Sequence, residues 1–484
     1  MIMEKFLAID LGTSNCRSAL FDGDMNMLAL SDAGYPLISR SPTHIEQDAE
    51  LWWQSVKATI KDVVGQAGAQ GLKSVSISSQ GIALVPIGLN GKPLQNALSW
   101  LDMRAQEQED RIEARYGKEK IYDITGKRAT ACYTLAKLVW LMENHPDIYE
   151  RAYKILLPMD FIQYRLCGMA VTDHTMAGGT MYYDINTQEW SREILGDHGI
   201  DIGKLPEITW SGRAIGRISG SVADELGLGK DVRVTVGGQD QKCAALGAGV
   251  TGHAVTASLG TASCITQLGA RPVKDEKMRI PCFSYLWPNT WSFEGIINTA
   301  ASSYQWFRET LAPQHSYAEL DKLAAEAAAK GDRACFYPYL ADMTSPFWGN
   351  TPGAFTDLSL ASGVGQLALA VMDGVSCNIK ANLDVMQQAN KHAYQQVSEV
   401  RLFGGGAKSP VWCQLTADIL NLPVVTQKSP ETALLGAAML AMQGYDGRAF
   451  AVPGTALTYE PDAKNVSVYE AYYAKYMDII DKTI

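Results

Sequence analysis

Phe6-Leu7-Ala8-Ile9-Asp10-Leu11-Gly12-Thr13-Ser14 is a short apolar strand that breaks into a Gly-Thr-Ser turn, and Asn15 to Asp22 reads as the returning strand. Residues Ala254 to Thr266 repeat the pattern: Leu11-Gly12-Thr13 matches Leu259-Gly260-Thr261, and Cys16 matches Cys264. A turn of glycine and hydroxyl residues offers backbone N–H groups and short side-chain donors to an anion. Two such turns open two halves of similar length. That arrangement points to duplicated domains facing a cleft, each holding part of a polyphosphate.

A chain of 484 residues exceeds one ordinary core, and two domains of about 250 residues are expected. The boundary falls near Thr251-Gly252, giving domains 1–251 and 252–484. A net charge of −10 argues against nucleic acid or anionic membranes as main partners, because both reward basic patches. Nine cysteines, odd in number and without a C-x-x-C pair, argue against a disulfide framework or a structural zinc. Cys16, Cys132, Cys243 and Cys264 sit in apolar runs and read as small buried thiols. Met1 to Phe6 leads straight into a strand, leaving no room for a signal peptide. No apolar run approaches the roughly 18 residues of a membrane span, and a cytoplasmic location is expected.

Strand-like and helix-like segments alternate along both halves. Leu51, Trp52, Val56, Ile60 and Val63 recur at helical spacing between Asp48 and Gly65. Lys73 to Ser78 alternates as a strand, and Val232 to Val236 is a strand ending in Gly237-Gly238. A small-residue helix is expected over Cys243–Gly249, and Thr134 to Asn144 is a helix closed by His145-Pro146. The second half adds helices near Thr299–Leu311, Ala318–Lys330 and Ser362–Ala389. The strand Glu399–Phe403 then ends in Gly404-Gly405-Gly406, followed by a helix from Pro410 to Leu420. Hairpins mixed with strand–helix crossovers indicate α/β domains with mixed sheets flanked by helices.

Four elements lie at the C-terminal ends of these strands, where ligands gather in α/β sheets. They are Asp10 to Ser14, Gly237 to Gln241, Ser258 to Ser263 and Gly404 to Ser409. No G-x-x-x-x-G-K-[ST] occurs, which excludes a P-loop. Taken alone, a strand-end Asp is usually a cap or turn former, and a glycine-rich turn is usually only a turn. Their joint occurrence on a duplicated scaffold shifts the balance toward a nucleotide site.

These residues resemble the FGGY carbohydrate kinases over nearly the whole chain. The resemblance includes Asp10 to Ser14, Glu46-Gln47-Asp48 before Trp52-Trp53, Trp100 to Arg104 and Leu156 to Asp160. It continues through Ala177 to Thr180, Gly237 to Gln241, Ser258 to Thr261, Phe336 to Leu340 and Gly404 to Ser409 with Trp412. It implies two actin-like, ribonuclease-H-like ATPase domains about an interdomain cleft, and ATP-dependent phosphorylation of a sugar or polyol hydroxyl. It further implies Asp240 as catalytic base, and Asp10 with Asp240 as holders of Mg²⁺. Gly12, Thr13, Ser14, Gly260, Thr261, Ala301, Gln305, Gly404, Gly405, Gly406 and Ser409 take the ATP in this resemblance. Gln80, Gly81, Trp100, Asp102, Arg104, Asp240 and Gln241 line the sugar pocket. Similar proteins form homodimers, and domain closure would exclude water from the reaction.

The chain departs from better-known members around the sugar. Gly81-Ile82 follows Gln80 where xylulose kinases have Met-His and glycerol kinases Arg-Glu. Asp240-Gln241 resembles the glycerol-kinase dipeptide, and Ala341 to Pro346 replaces a Gly-Glu-Arg-Thr-Pro segment. The leading expectation is a pentulose or hexulose kinase. A polyol or aldonate kinase, an actin-like ATPase and a sugar sensor are the alternatives.

Overall fold

The opening hairpin folds as its turn dictates: β1 (Lys5–Leu11) pairs antiparallel with β2 (Asn15–Asp22), setting Asp10 opposite Arg17 and Leu11 opposite Cys16. A computed structural model describes residues 3–331, 333–341, 343–390, 396–449 and 451–483. Met1, Ile2 and Asp342 of the segment Ala341–Pro346 lie outside the described residues. β3 (Met27–Gly34) continues the meander, and helix α1 (Ala49–Ala67) covers the sheet with Trp52, Val56, Ile60 and Val63 buried. The Asp48 carboxylate caps α1 by accepting from the Glu50 N–H. β4 (Leu72–Ser79) lies parallel to β1 and sets Ser78 beside Asp10.

Helix α2 (Thr134–Asn144) and the short helix α3 (His174–Gly178) follow. β5 (Ala214–Arg217) then pairs antiparallel with β6 (Arg233–Thr235), which runs parallel to β4. β7 (Gly238–Gln239) also joins β4, and α4 (Asp240–Ala248) starts at Asp240, three residues before the expected helix. The strand order is therefore β3-β2-β1-β4-β6-β5.

The second half repeats this plan. β8 (Ala254–Ser258) and β9 (Ser263–Gly269) form the second hairpin, followed by β10 (Trp291–Ile297), α5 (Ala301–Leu311), α6 (Tyr317–Lys330) and the long helix α7 (Val364–Ala389). β11 (Glu399–Phe403) lies parallel to β8, α8 (Pro410–Leu420) follows, and β12 (Val424–Gln427) lies parallel to β11. After α9 (Thr432–Asp446), β13 (Thr455–Tyr459) closes the edge antiparallel to β12, and α10 (Ala463–Thr483) ends the chain. Six strands of the second sheet, in the order β10-β9-β8-β11-β12-β13, match the six-strand run of the first.

The chain divides into two compact units. The first gathers Met1–Gly247, Cys282–Trp291 and Glu431–Ala451; the second gathers Ala248–Pro281, Ser292–Pro430 and Val452–Ile484. The sequence reading placed 252–484 in one domain, yet two of its segments pack with the first unit. α9 is the larger of them. A Cβ on Gly247 would stand 1.9 Å from the Thr432 carbonyl oxygen, and one on Gly436 would stand 2.0 Å from that of Cys243. Glycine at both positions lets α4 and α9 touch backbone to backbone. The nine cysteines are free thiols; Cys132, expected buried, is only partly so. Among the described residues, no helix is long and apolar enough to cross a membrane.

Candidate functional site

In the first unit, Asp10 ends β1 almost wholly buried. Its Oδ1 accepts from the Ser78 hydroxyl at 2.9 Å and its Oδ2 from Arg17 Nη2 at 2.7 Å. Arg17 also bonds Glu431 through Nη1. Burial opposes its charge, but the Asp10 and Glu431 carboxylates outweigh that and push its pKa above the ordinary value. Arg17 was missed in the sequence, although the hairpin register that pairs it with Asp10 follows from the turn.

Gly12, Thr13 and Ser14 form the turn. The Gly12 N–H is bonded to the Asn15 carbonyl, and the Tyr35 hydroxyl donates to the Gly12 carbonyl at 2.5 Å. The N–H groups of Thr13 and Ser14 make no hydrogen bond to other described residues. Such a turn presents two donors to an anion.

Asp240 enters the same region from β7. Gly238 pairs with Ser78, which pairs with Asp10, so the two strand ends lie about 10 Å apart at one edge of the sheet. The Asp240 Oδ1 accepts from the Gln241 N–H at 2.7 Å and from the Gln239 amide. Thr175 of α3 accepts from the Gln239 N–H at 2.8 Å and steadies this strand. The approach is tight: a Cβ on Gly237 would sit 1.7 Å from the Ile77 carbonyl oxygen. Cys243 is buried within reach of both carboxylates; desolvation and then the charges of Asp173, Asp10 and Asp240 push its thiol well above the ordinary range.

Gln80 follows β4, and its N–H donates to the Leu11 carbonyl at 2.8 Å. Gln47 Nε2 donates to the Thr13 carbonyl at 2.7 Å and approaches Gln80 Oε1 at 3.5 Å. That leaves Gln47 Oε1 and Gln80 Nε2 buried without a partner. Two orphaned amide groups, one acceptor and one donor, suit a ligand hydroxyl. A Cβ on Gly81 would lie 3.3 Å from Gln239 Cγ, and Ile82 is held at φ 70°, a left-handed conformation that a β-branched residue rarely adopts.

Trp100 is not a core aromatic: it is 39% exposed, and its indole donates to Thr13 Oγ1 at 2.9 Å. Asp102 and Arg104 are buried against each other. The guanidinium makes three bonds to the Asp102 carboxylate at 2.7–2.9 Å and one to Glu46 Oε1 at 2.9 Å. The Ile45 N–H donates to Asp102 Oδ2 at 2.8 Å. Asp102 and Arg104 thus spend their groups fastening the loop that carries Trp100.

The second unit holds the matching turn. The N–H groups of Gly260, Thr261 and Ala262 make no hydrogen bond to other described residues. The Gly260 carbonyl accepts from the Ala301 N–H at 2.9 Å and that of Thr261 from Ala300 at 3.0 Å, so α5 starts beside the turn. Gln305, a turn along α5, is exposed and bonds Glu309 rather than the turn. Gly404 has φ +94°, and its Cβ would sit 2.9 Å from the Leu259 carbonyl oxygen; Gly406 packs against Leu259. A Cβ on Gly405 would meet nothing within 4 Å. Ser409 caps α8 by accepting from the Trp412 N–H at 3.1 Å.

Among the described residues, no three His, Cys, Asp or Glu side chains cluster to hold a metal. Mg²⁺ commonly uses one or two carboxylates with water and phosphate oxygens. Asp10 and Asp240 supply such oxygens, and each Asp10 oxygen carries only one protein hydrogen bond. The donor set fits Mg²⁺.

A doubled mixed sheet, each copy with a hairpin that presents free backbone N–H groups at its strand ends, defines a two-domain α/β protein of the actin-like ATPase fold. The N-terminal domain model of the FGGY family of carbohydrate kinases matches residues 5–247, and the C-terminal domain model matches 255–445. A xylulose kinase of Staphylococcus epidermidis is 30% identical over 100% of this chain and 98% of its own. A glycerol kinase of Thermococcus gammatolerans is 29% identical over 91% of this chain and 89% of its own. The ligand-bound xylulose kinase of Lactobacillus acidophilus superposes with a TM-score of 0.93 at 25% identity, covering 99% of this chain and 98% of that one. The chain belongs to the FGGY family of carbohydrate kinases. It is a phosphotransferase that uses ATP and an alcohol group as acceptor.

Proposed function

We propose that the chain transfers the γ-phosphoryl group of Mg·ATP to a hydroxyl of a ketopentose of the xylulose type, with Asp240 as general base. The observation that carries this reading is that Asp10 and Gly238, two residues before Asp240, pair with the same Ser78 on either side of β4, beside a turn with two unused N–H groups. The attacking hydroxyl gives its proton to Asp240 as its oxygen bonds the γ-phosphorus. The bond to the β–γ bridging oxygen breaks, and ADP leaves. Mg²⁺, held by Asp10 and Asp240, would neutralise charge on the phosphate oxygens. Thr13 and Ser14 offer N–H groups to the transferring phosphate, while Gly260, Thr261, Ala301 and Gly404–Gly406 with Ser409 take the nucleotide.

Trp100, Gln80, Gly81 and Gln241 shape the sugar pocket, with Asp102 and Arg104 behind them. The unpartnered amide groups of Gln47 and Gln80 favour a substrate with several hydroxyls. Likeness to xylulose kinases along the whole chain favours a ketopentose, and ATP use favours a cytoplasmic reaction. A polyol is the second reading: Asp240-Gln241 matches the glycerol-kinase dipeptide, and a glycerol kinase is nearly as similar.

The test is coupled ADP release across ketopentoses, ketohexoses, aldonic acids and C3–C6 polyols. D-xylulose should give the highest kcat/KM, and Asp240→Ala should lower kcat by about 10²–10⁴-fold, the usual share of a positioned base. A best rate with glycerol or erythritol moves the assignment to polyols. A loss under tenfold in Asp240→Ala removes the base role.

A further inference from the structure

Lys137 is a fully buried lysine, on α2, that the reaction above does not use. Its ammonium donates to the Ser99 carbonyl at 2.7 Å. Three residues earlier on the same helix face, the Thr134 hydroxyl donates to the Ile82 carbonyl at 2.8 Å. Three residues later, the Trp140 ring lies 4.9 Å below the Arg104 guanidinium. Residues at i, i+3 and i+6 share one side of a helix. One helix face therefore grips both segments that carry the sugar-pocket residues, Gln80–Ile82 and Ser99–Arg104. The second segment reaches the phosphate turn through the Trp100 indole.

We propose that Lys137 is a positioning residue for the sugar, holding the Ser99–Arg104 segment so that Trp100 stands against Thr13. This rests on the reading that Trp100 lines the sugar pocket. The lysine acts through backbone and charge. Its bond fixes the Ser99 carbonyl, and the Asp102 N–H bonds the same carbonyl at 3.1 Å. The groups facing it are Cys132 from the preceding loop, with Asp102 and Arg104 from the fastened segment; Glu46 stands behind Arg104. Arg40 also bonds Glu46, so three cations meet two carboxylates while the ammonium is charged.

Burial pulls the ammonium down to about 8, the nearby Arg104 charge acts in the same direction, and Cys132 and Asp102 oppose them. Above that pH the cluster loses a cation, and the bond to Ser99 loses its charge assistance.

Steady-state kinetics with D-xylulose, or with the best acceptor of the panel above if D-xylulose is inert, test the proposal on the full chain. Lys137→Met should raise the acceptor KM at least tenfold with the ATP KM within twofold, and Lys137→Arg should fall between it and the native protein. In the native protein the acceptor KM should rise between pH 7 and pH 9, and that rise should vanish in Lys137→Arg, whose charge persists. Trp100→Ala serves as the control for the pocket: an unchanged acceptor KM there refutes the pocket reading and this inference with it. A raised KM in Trp100→Ala beside an unchanged one in Lys137→Met refutes the inference alone. Should Lys137→Met not fold, a flat native pH profile, or the same rise in Lys137→Arg, overturns the proposal.

Discussion

Replacing Arg104 by Met removes three bonds from Asp102 and one from Glu46 in a single step. Asp102 has no exposed surface, so without Arg104 its carboxylate is left to backbone donors, chiefly the Ile45 N–H at 2.8 Å, and to the charge of the Lys137 ammonium that faces it. Breaking a buried pair from one side costs about 3–5 kcal/mol, because the remaining charge is left uncompensated. In a unit of this size each kcal/mol shifts the melting temperature by about 2–4 °C, so calorimetry of Arg104→Met should show a fall of about 6–20 °C. Asp102→Asn keeps an acceptor for Ile45 while discharging the site. Combined with Arg104→Met it should recover most of the loss, giving a coupling energy of about 2 kcal/mol or more. Additive single effects, each under about 1 kcal/mol, would refute the reasoning: water would then be compensating the charges.

His174 offers a test in pH. It is buried, stacked on Trp210 with ring centroids 3.6 Å apart and bonded through Nδ1 to the Tyr183 hydroxyl at 2.8 Å; burial, helped by Arg213, lowers its pKa to about 4. The unfolded chain then binds the proton more readily, so this stabilisation is full above pH 6.5 and drains away toward pH 4. Between pH 7.5 and 5 it amounts to about 2 kcal/mol, a loss that His174→Phe should lack in thermal unfolding. The glycine run separates packing from binding: Gly404→Ala should destabilise by about 1–2 kcal/mol because of its positive φ. Gly405→Ala should leave stability unchanged but raise the ATP KM; an unaltered KM would remove Gly405 from the nucleotide site.

The duplicated hairpins were legible because two strand-like runs break at glycine and hydroxyl residues that punctuate a turn, and Thr134–Asn144, Glu399–Phe403 and Pro410–Leu420 follow the expected bounds. α9 was not read. Thr432–Asp446 is almost uniformly small and apolar, so it has no amphipathic period to betray it. Among candidate residues, Asp10 and Asp240, the carboxylates proposed for the chemistry, stand at strand ends that periodicity predicts. Arg17 escaped notice, and Gln47 figured only as part of the Glu46-Gln47-Asp48 resemblance, because their importance comes from partners distant in sequence and not from neighbours in sequence. Asp102 and Arg104 were read as pocket residues, yet their side chains are largely engaged with each other, with Glu46 and with backbone N–H groups. Pair formation at a separation of two residues depends on the bend of the loop, which the sequence does not display.

The lodging of α9 against β1 and β4 also sets an order on the birth of the protein. The Ser74 hydroxyl bonds the Ala441 carbonyl at 2.5 Å, and Phe6 packs with Ala441 and Met442. At about 5–20 residues per second, a ribosome needs on the order of half a minute or more to carry the chain from Phe6 to Met442. Through that interval the first sheet waits with one face uncovered, while the hairpin that repeats it is already being made. A nascent chain stalled before residue 432 should therefore hold an unfinished first unit, open to proteases and chaperones, and a truncation there cannot yield an independently stable N-terminal half.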